Sequence, residues 1–287
     1  MSNISLSQLA DKFINQLKQK SKSQSTILAY GSDLRQMCEY LAYRNITSAK
    51  EVLSNHLSGF RDHLLEHKYT PKSTSRKLNA VKTFFRWLKD NGYIQKDVSQ
   101  EVKHPEIAAP EPKFLSPIEY RALRDMARVE ERVSAIIELI LQTGMRISEV
   151  ANLKLANLKK DIIIVEAYAT QPEREIPLNK SAKEAIERYL RTRPQSDSPY
   201  LFVSKNGKPM AIRNIRASID KYLRRAKLTD FSVNDIRNTF IVESLKRGVD
   251  LVTVSQAAGH RRISTTERYL EISGVTEPGK KQYLEEL

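Results

Sequence analysis

Apolar residues recur at intervals of three and four along the first hundred residues, which is the period of an amphipathic α-helix. In the segment SLSQLADKFINQLKQK the apolar stripe contains Leu9, Phe13 and Leu17. Four such segments within about ninety residues predict a small helical bundle. The other three are STILAYGSDLRQMCEYLAYR, VLSNHLSGFRDHLLEH and STSRKLNAVKTFFRWLKDNG.

Helical periodicity stops in HPEIAAPEPKFLSP, which carries four prolines. We interpret residues 105–115 as an extended linker, because prolines interrupt helices and clean helical patterns stand on both sides. A long loop inside one domain is the alternative interpretation. The sequence therefore predicts an N-terminal helical domain at 1–104 and a second domain, with a C-terminal tail, at 116–287.

The second half of the chain returns to helical patterns but contains two short β-rich runs. DIIIVEA and REIPLN flank YATQPE and predict a small antiparallel hairpin. Helical patterns precede this hairpin in SAIIELILQTG and resume after it in SAKEAIERYL. The predicted fold is mainly α with a small antiparallel β-sheet.

Charge adds a functional direction to this fold. The chain carries 48 Lys and Arg against 34 Asp and Glu, a formal net charge of +14. Such an excess favours a polyanionic partner, most often nucleic acid, although a basic surface can also serve only solubility. With 9 glycines in total, the chain is a poor match to enzymes built on glycine-rich phosphate loops.

Two further features restrict the class of protein. A single cysteine, Cys38, excludes a disulfide framework and a cysteine-based zinc cluster within one chain. The N-terminus lacks the profile of a signal peptide, and no apolar run approaches the ~18 residues that a membrane span needs. We therefore expect a cytoplasmic protein that does not associate with a membrane.

Four residues of the second half form a chemically coherent set: Arg146 in TGMRISEV, Arg237 in NDIRNTF, and His260 and Tyr269 in GHRRISTTERY. Two guanidinium groups can clamp a phosphate and neutralise charge in a pentacoordinate transition state. The histidine can donate a hydrogen bond or move a proton, and the tyrosine hydroxyl can form a covalent ester. This chemistry needs no metal and no cofactor. Each residue alone is more often a surface charge or a packing residue, so the interpretation depends on the combination.

These motifs resemble those of the tyrosine recombinases, or phage integrase family, and the compact architecture is similar to the Xer branch. The resemblance covers nearly the whole chain, since STILAYGSDLRQMCEYL and KSTSRKLNAVKTFFRWL are similar to the family's N-terminal DNA-binding domain. It implies a four-helix, SAM-like core-binding domain and an α+β catalytic domain that close around double-stranded DNA.

The resemblance also implies the reaction and the assembly. A tyrosine cuts DNA site-specifically, becomes linked to a 3′ phosphate, and a 5′ hydroxyl of the partner strand resolves that link without ATP or metal. The active form is a homo-tetramer on two duplexes, or a hetero-tetramer with a second recombinase. Carried over, Arg146 and Arg237 match the catalytic arginines, His260 matches the histidine of the GH motif, and Tyr269 matches the nucleophile.

Two positions depart from the family pattern. Asn234 stands where the family usually has a histidine, and asparagine can bond a phosphate oxygen but cannot shuttle a proton. Ala169 stands where the hairpin usually has a lysine that protonates the leaving oxygen. The nearest basic residue, Arg174, can stabilise charge but cannot release a proton near neutral pH. Lysines from elsewhere could enter the site instead, and the candidates are Lys159, Lys160 and Lys205.

Three functions stay open from the sequence. The first is a site-specific recombinase, with attenuated activity if nothing replaces the hairpin lysine, because lost general acid catalysis costs ~10²–10⁴ in rate. The second is a DNA-binding homologue with weakened or lost catalysis that acts as a partner or regulator. The third is a metal-dependent nuclease, which is disfavoured because no carboxylate cluster accompanies the motifs.

Basic residues near predicted helix starts are candidates for contacts with DNA phosphates. A solvated charged face is the alternative for each of them. The tail SGVTEPGKKQYLEEL is expected, from the resemblance, to pack onto a neighbouring protomer through Tyr283 and Leu284, or else to fray. The candidate DNA-binding residues are Lys20, Lys22, Lys72, Arg76, Lys77, Arg213 and Arg216.

Overall fold

The computed structural model describes residues 4–19, 24–108, 111–167, 171–275 and 279–287. Its contacts divide the chain into two compact units, Met1–Ala109 and Pro110–Leu287. The described residues are mainly helical and contain one two-stranded antiparallel sheet, so the predicted fold class is confirmed. The division falls inside the segment 105–115, whose role as a linker stays a prediction.

The first unit is a bundle of four helices followed by a 3₁₀ turn at Val98–Glu101. Aromatic rings fill its centre, with the Phe13 and Phe84 centroids 5.5 Å apart. The last helix begins with Pro71 in its first turn, where the Thr70 hydroxyl accepts a hydrogen bond from the Ser73 amide. The helices are α1 (Leu6–Gln19), α2 (Gln24–Ala42), α3 (Ser54–Glu66) and α4 (Pro71–Asp90).

The second unit surrounds a central helix, α6 (Glu131–Thr143), whose side chains are buried on almost every face. The strands of its sheet pair with Ile162 opposite Pro177 and Val165 opposite Arg174. A 3₁₀ turn at Leu155–Asn157 precedes the sheet. The elements are α5 (Pro117–Ala127), α6 (Glu131–Thr143), α7 (Ile147–Asn152), β1 (Ile162–Val165), β2 (Arg174–Pro177), α8 (Lys180–Thr192), α9 (Ile212–Arg225), α10 (Val233–Lys246), α11 (Leu251–Ala258) and α12 (Ser264–Ser273).

The turn between α6 and α7 depends on glycine. Gly144 ends α6 in the left-handed conformation with φ of 62°, and a Cβ at this position would collide with the ring of Phe240. The chain can therefore reverse tightly and begin α7 three residues later, at Ile147. Arg146 is the N-cap residue of α7, and its amide donates a hydrogen bond to Glu149 Oε2 at 2.8 Å.

The described part of the C-terminal tail, 279–287, packs on its own chain. The Lys281 amide donates to the Gly248 carbonyl at 3.0 Å, and the Asp250 amide donates to the Lys281 carbonyl at 2.8 Å. Leu284 packs against the core, whereas the Tyr283 side chain is exposed. Docking of the tail onto a neighbouring protomer stays a prediction. For such docking Leu284 would have to leave its packing site in the core of its own chain.

Within the described ranges, no helix combines the length and the apolar character that a bilayer crossing demands.

Candidate active site

The second unit brings two of the predicted catalytic side chains, Arg146 and Arg237, to the C-terminal end of α11. Arg146 reaches it from the start of α7 and Arg237 from the second turn of α10. Both guanidinium groups donate to the Ala258 carbonyl, Arg146 through Nη1 at 3.2 Å and Arg237 through Nη2 at 2.7 Å. Residues that lie 91 positions apart in the sequence are thus joined at one oxygen atom.

A third arginine, Arg174 at the start of β2, completes the cluster. Its Nε donates to the Ala257 carbonyl at 3.0 Å, while Arg146 Nη2 donates to the Gly259 carbonyl at 2.6 Å. The last carbonyls of a helix carry partial negative charge and have no partner within the helix. The end of α11 therefore collects guanidinium groups that would otherwise repel one another.

Gly259 makes this approach possible. It has a φ of 65°, and a Cβ there would lie 2.8 Å from Arg174 Cζ and 2.9 Å from Arg146 Nη1. A side chain at this position would therefore occupy the space in which the two guanidinium groups meet. The glycine of the GH motif is required here for packing as well as for backbone conformation.

Glu149 neutralises part of the cluster. Arg174 forms a two-point ion pair with it, at 3.0 Å to Oε1 and 2.7 Å to Oε2, and Arg146 Nη1 lies 3.1 Å from Oε1. Burial alone would raise the pKa of Glu149, but the hydrogen bonds and charges of Arg174 and Arg146 hold this pKa below its usual value. Three cations and one carboxylate leave a net positive site that suits a phosphate.

Arg237 is the most enclosed cation of the cluster, with 9% of its surface exposed. Its Nη1 donates to the Gly144 carbonyl, which fixes the guanidinium between α6 and α11. Burial lowers the pKa of Arg237 to about 9, and the charges of Arg146 and Arg174 act in the same direction. The group is still cationic at neutral pH, and a buried cation of this kind is typical of an anion-binding site.

His260 follows Gly259 and is neutral. Its Nδ1 lies 2.8 Å from Oγ1 of Thr266, a fully buried residue in the first turn of α12. Burial, together with the charges of Arg237, Arg146 and Arg174, lowers the pKa of His260 to about 4. At neutral pH the imidazole can therefore donate or accept a hydrogen bond, but it does not add a fourth positive charge.

Tyr269 lies on α12 beside this histidine. The two rings are nearly parallel, with centroids 6.2 Å apart and 15° between the planes. The Tyr269 hydroxyl donates to Asn238 Oδ1 at 2.9 Å. Burial raises the pKa of Tyr269, although the charge of Arg237 opposes that shift. The phenol is thus protonated at neutral pH and must lose its proton to attack a phosphate.

The two departures from the family pattern have different outcomes. Asn234 lies exposed in the first turn of α10, on the same helix face as Arg237 and Asn238 because these residues are three and four positions away. Ala169 lies outside the described residues. The basic side chain that the hairpin supplies to the cluster is Arg174, which the sequence indicated as the nearest basic residue, able to stabilise charge but not to release a proton.

The other functional side chains of the site were not predicted. Glu149, Asn238 and Thr266 all lie inside the motif segments TGMRISEVANLK, NDIRNTF and GHRRISTTERY. Their roles depend on tertiary contacts, so the motif spacing alone could not identify them. A signal was present for Glu149, since an acidic residue three positions after a helix start predicts a capping contact.

The candidate DNA-binding residues differ in exposure. Lys72, Arg213 and Arg216 are exposed, and the Arg76 side chain is half exposed. Lys77 is buried, and its Nζ lies 2.9 Å from Oδ1 of Asp33, which Arg76 also binds. Lys77 therefore balances a buried carboxylate inside the first unit, which argues against the predicted phosphate contact. Lys20 and Lys22 lie outside the described residues.

One group among the described residues could hold a metal ion. The ligand atoms of His63, Glu66 and His67 lie within 4.8 Å of one another. These residues belong to α3 and its C-terminal cap in the first unit, whereas the arginine cluster belongs to the second.

The fold and the site together define a DNA strand-transfer enzyme. Residues 113–274 match the model of the phage integrase family, and residues 10–92 match the N-terminal SAM-like domain of phage integrases. The chain belongs to the phage integrase family. This confirms the resemblance to tyrosine recombinases that the sequence motifs indicate.

Individual relatives agree with this assignment. Tyrosine recombinase XerC of Roseiflexus sp. (strain RS-1) is 29% identical over 270 residues, which cover 89% of this chain and 86% of the relative. The Tn1549 transposon integrase in complex with transposon right end DNA has a TM-score of 0.78 and 18% identity, covering 92% of this chain and 94% of that one. A lambda integrase tetramer bound to a Holliday junction has a TM-score of 0.74 and 14% identity, covering 91% and 79%.

Proposed function

We propose that this chain is a site-specific recombinase that cuts and rejoins DNA through a covalent bond between Tyr269 and a DNA 3′ phosphate. The observation that carries the proposal is that Arg146, Arg174 and Arg237 meet at the end of α11. The Tyr269 hydroxyl bonds Asn238, the residue that directly follows Arg237 in α10. A scissile phosphate is the anion that such a cluster, beside a nucleophile, is suited to bind.

In the proposed reaction the Tyr269 oxygen attacks phosphorus, and its proton passes to a water molecule. The bond from phosphorus to the 5′ oxygen breaks, and that oxygen gains a proton and departs as a 5′ hydroxyl. The guanidinium groups stabilise the charge that develops on the non-bridging oxygens. Attack by a 5′ hydroxyl of the partner strand reverses these steps and releases Tyr269. The phosphotyrosine conserves the bond energy, so no ATP is consumed.

Protonation of the departing 5′ oxygen is the weak point of this active site. Arg174 does not release a proton near neutral pH. The pKa of His260, about 4, leaves little of the imidazole charged at pH 7. We infer that cleavage is slower than in family members that carry a hairpin lysine, by at most the ~10²–10⁴ that general acid catalysis contributes.

Double-stranded DNA is the proposed partner, in keeping with the formal net charge of +14. The matched lambda integrase structure is a tetramer bound to a Holliday junction, which supports a tetramer on two duplexes for this chain. A homo-tetramer and a hetero-tetramer with a second recombinase both fit this proposal.

The proposed function is tested by trapping the covalent intermediate. The protein is incubated, with EDTA, with nicked duplexes that tile the DNA around its own coding sequence, because a nick lets the short strand diffuse away after attack. We expect an SDS-resistant protein–DNA adduct that is absent with Tyr269→Phe. Tyr43→Phe, at an exposed tyrosine that follows α2 in the first unit, is the matched control and should form the adduct.

The outcomes separate the functions. Salt-sensitive binding without any adduct would overturn the recombinase proposal and favour a DNA-binding partner or regulator. Cleavage that EDTA abolishes and that Tyr269→Phe retains would instead indicate a metal-dependent nuclease.

A further inference from the structure

The side chain of Asn238 contacts the Tyr269 hydroxyl and the segment that enters the second unit at the same time. Its Oδ1 accepts the hydrogen bond from Tyr269 at 2.9 Å. On the other side of the amide, Nδ2 donates to the Lys113 carbonyl at 2.8 Å. Asn238 directly follows Arg237 in α10 and has no role in the chemistry described above.

The contact with Lys113 determines which way the amide faces. A backbone carbonyl can only accept a hydrogen bond, so the nitrogen of Asn238 must point toward it. Asp235 Oδ1, 3.3 Å from the same nitrogen, favours the same orientation. The amide oxygen consequently faces Tyr269 and offers it an acceptor. The Tyr269 proton is thereby directed toward α10.

The neighbouring residue holds the same segment. Thr239 Oγ1 accepts a hydrogen bond from the buried Leu115 amide at 2.8 Å, and it donates to the Asp235 carbonyl at 2.8 Å. Two successive residues of α10 therefore bind 113–115 next to the turn that carries Arg237. The direction of the Tyr269 hydroxyl is linked through one amide to the place of this segment.

We propose that Asn238 is a positioning residue for the nucleophile, which fixes the direction of the Tyr269 O–H and couples it to the segment 113–115. This inference rests on the proposed role of Tyr269. An amide neither takes nor gives a proton near neutral pH. Asn238 therefore aligns the hydroxyl and engages its proton, while the lone pairs of the phenol oxygen are left for attack on phosphorus.

The first test separates DNA binding from the cleavage step. Adduct formation on the nicked duplex is followed in a single turnover at saturating protein, and the dissociation constant for DNA is measured separately. We expect Asn238→Ala to bind DNA like the wild type and to form the adduct ~3–10-fold more slowly, the effect of one neutral hydrogen bond. Asn152→Ala, which removes an exposed amide bonded to the Ser148 carbonyl at 2.8 Å, should match the wild-type rate.

The second test measures the contact itself in the absence of DNA. Unfolding midpoints are compared in a double-mutant cycle of Asn238→Ala and Tyr269→Phe. Asn238→Ala should lower the midpoint more in the wild-type background than in the Tyr269→Phe background. If Asn238 only binds the Lys113 carbonyl, Asn238→Ala should lower the unfolding midpoint equally in both backgrounds. If Asn238→Ala does not fold, Asn238→Ser, which is too short to reach both partners, replaces it.

The proposal is overturned if Asn238→Ala forms the adduct as fast as the wild type or faster, or if the two substitutions act additively. If the wild type forms no Tyr269-dependent adduct, the proposed function fails and the positioning role fails with it. A non-additive cycle in that case would show that the hydrogen bond between Asn238 and Tyr269 exists and that the assignment of Tyr269 as nucleophile is wrong.

Discussion

Glu149 and Arg174 form a two-point ion pair, with N–O distances of 2.7 and 3.0 Å, at the centre of the arginine cluster. The Glu149 side chain is 3% exposed and that of Arg174 is 11% exposed, so water screens this pair weakly. The pair joins the hairpin to the start of α7, and a third contact joins it to Arg146. Charge balance and position of the cluster therefore depend on one carboxylate.

Replacing Glu149 with glutamine should disrupt the site and the fold together. Glu149→Gln keeps the shape of the side chain but leaves Arg146 and Arg174 without their counter-charge. We expect a loss of about 3 kcal/mol in unfolding free energy, the cost of breaking a buried ion pair, together with slower adduct formation. Glu166→Gln, which breaks an exposed ion pair with Lys154, is the control and should change stability little. Equal stability of the two variants, measured by denaturant unfolding, would contradict this account.

A methyl group at Gly259 should damage the cluster by contact. Gly259→Ala introduces left-handed strain and a Cβ within 3 Å of both Arg174 and Arg146, at 2.8 and 2.9 Å. Gly274→Ala is a close control, since its φ is 71° and no described atom lies within 4 Å of the added Cβ. We expect both variants to lose about 1–2 kcal/mol to backbone strain. The rate of adduct formation should fall strongly only in Gly259→Ala. Similar rates for both variants would mean that the guanidinium groups can move aside.

Much of this site could be predicted from the sequence. Arg146, Arg237, His260 and Tyr269 each stand in a motif whose order and residue types indicate phosphate chemistry, and the structure brings them together. The helices and the hairpin were predicted because apolar residues keep the period of the element that buries them. These predictions need only local patterns and a familiar combination of side chains.

The parts that could not be predicted depend on contacts between distant residues. The sequence predicts a DNA contact for Lys77, since nothing near it in the chain indicates that it is buried. Its burial depends on Asp33, 44 positions earlier in the chain. Asn238 acquires its role only when α12 places Tyr269 against α10. Arg174 joins the cluster because the hairpin packs against the end of α11. Spacing along the chain carries no information about such pairs.

The environment of His260 predicts a pH effect on stability. Its pKa is about 4 in the folded chain, below the usual 6.5, so the unfolded chain binds the extra proton between these values. Stability must therefore fall as the pH decreases from about 6.5 toward 4. His260→Gln removes this titrating group. Over that pH interval its unfolding free energy should fall by on the order of 2 kcal/mol less than that of the wild type, after allowance for solvent screening. Parallel stability curves for the two proteins, measured by urea unfolding, would contradict the shift.

Two lysines of α4, Lys72 and Lys77, should affect different properties when replaced: the first DNA binding and the second stability. Lys72 is exposed, and Lys72→Ala is expected to weaken DNA binding and reduce the slope of log K against log salt by about 1, with no change in stability. Lys77→Ala removes a cation from the buried Asp33 and should cost roughly 2 kcal/mol of stability, since Arg76 still offsets part of the charge. Fluorescence anisotropy at several salt concentrations and thermal unfolding distinguish them. A reduced salt slope in folded Lys77→Ala would restore its predicted role in DNA binding.

Restoring the hairpin lysine should accelerate cleavage. Ala169 occupies the position at which the family usually carries that lysine, so Ala169→Lys supplies a side chain that can protonate the departing 5′ oxygen. We expect the single-turnover rate of adduct formation to rise by ~10²-fold, within the range of general acid catalysis. A bridging 5′-phosphorothiolate substrate provides the control, because a thiolate leaves without needing a proton. Wild type and Ala169→Lys should cleave that substrate at similar rates. An Ala169→Lys rate that is unchanged on the ordinary substrate would show that another group, such as Lys159, Lys160 or Lys205, already protonates the 5′ oxygen.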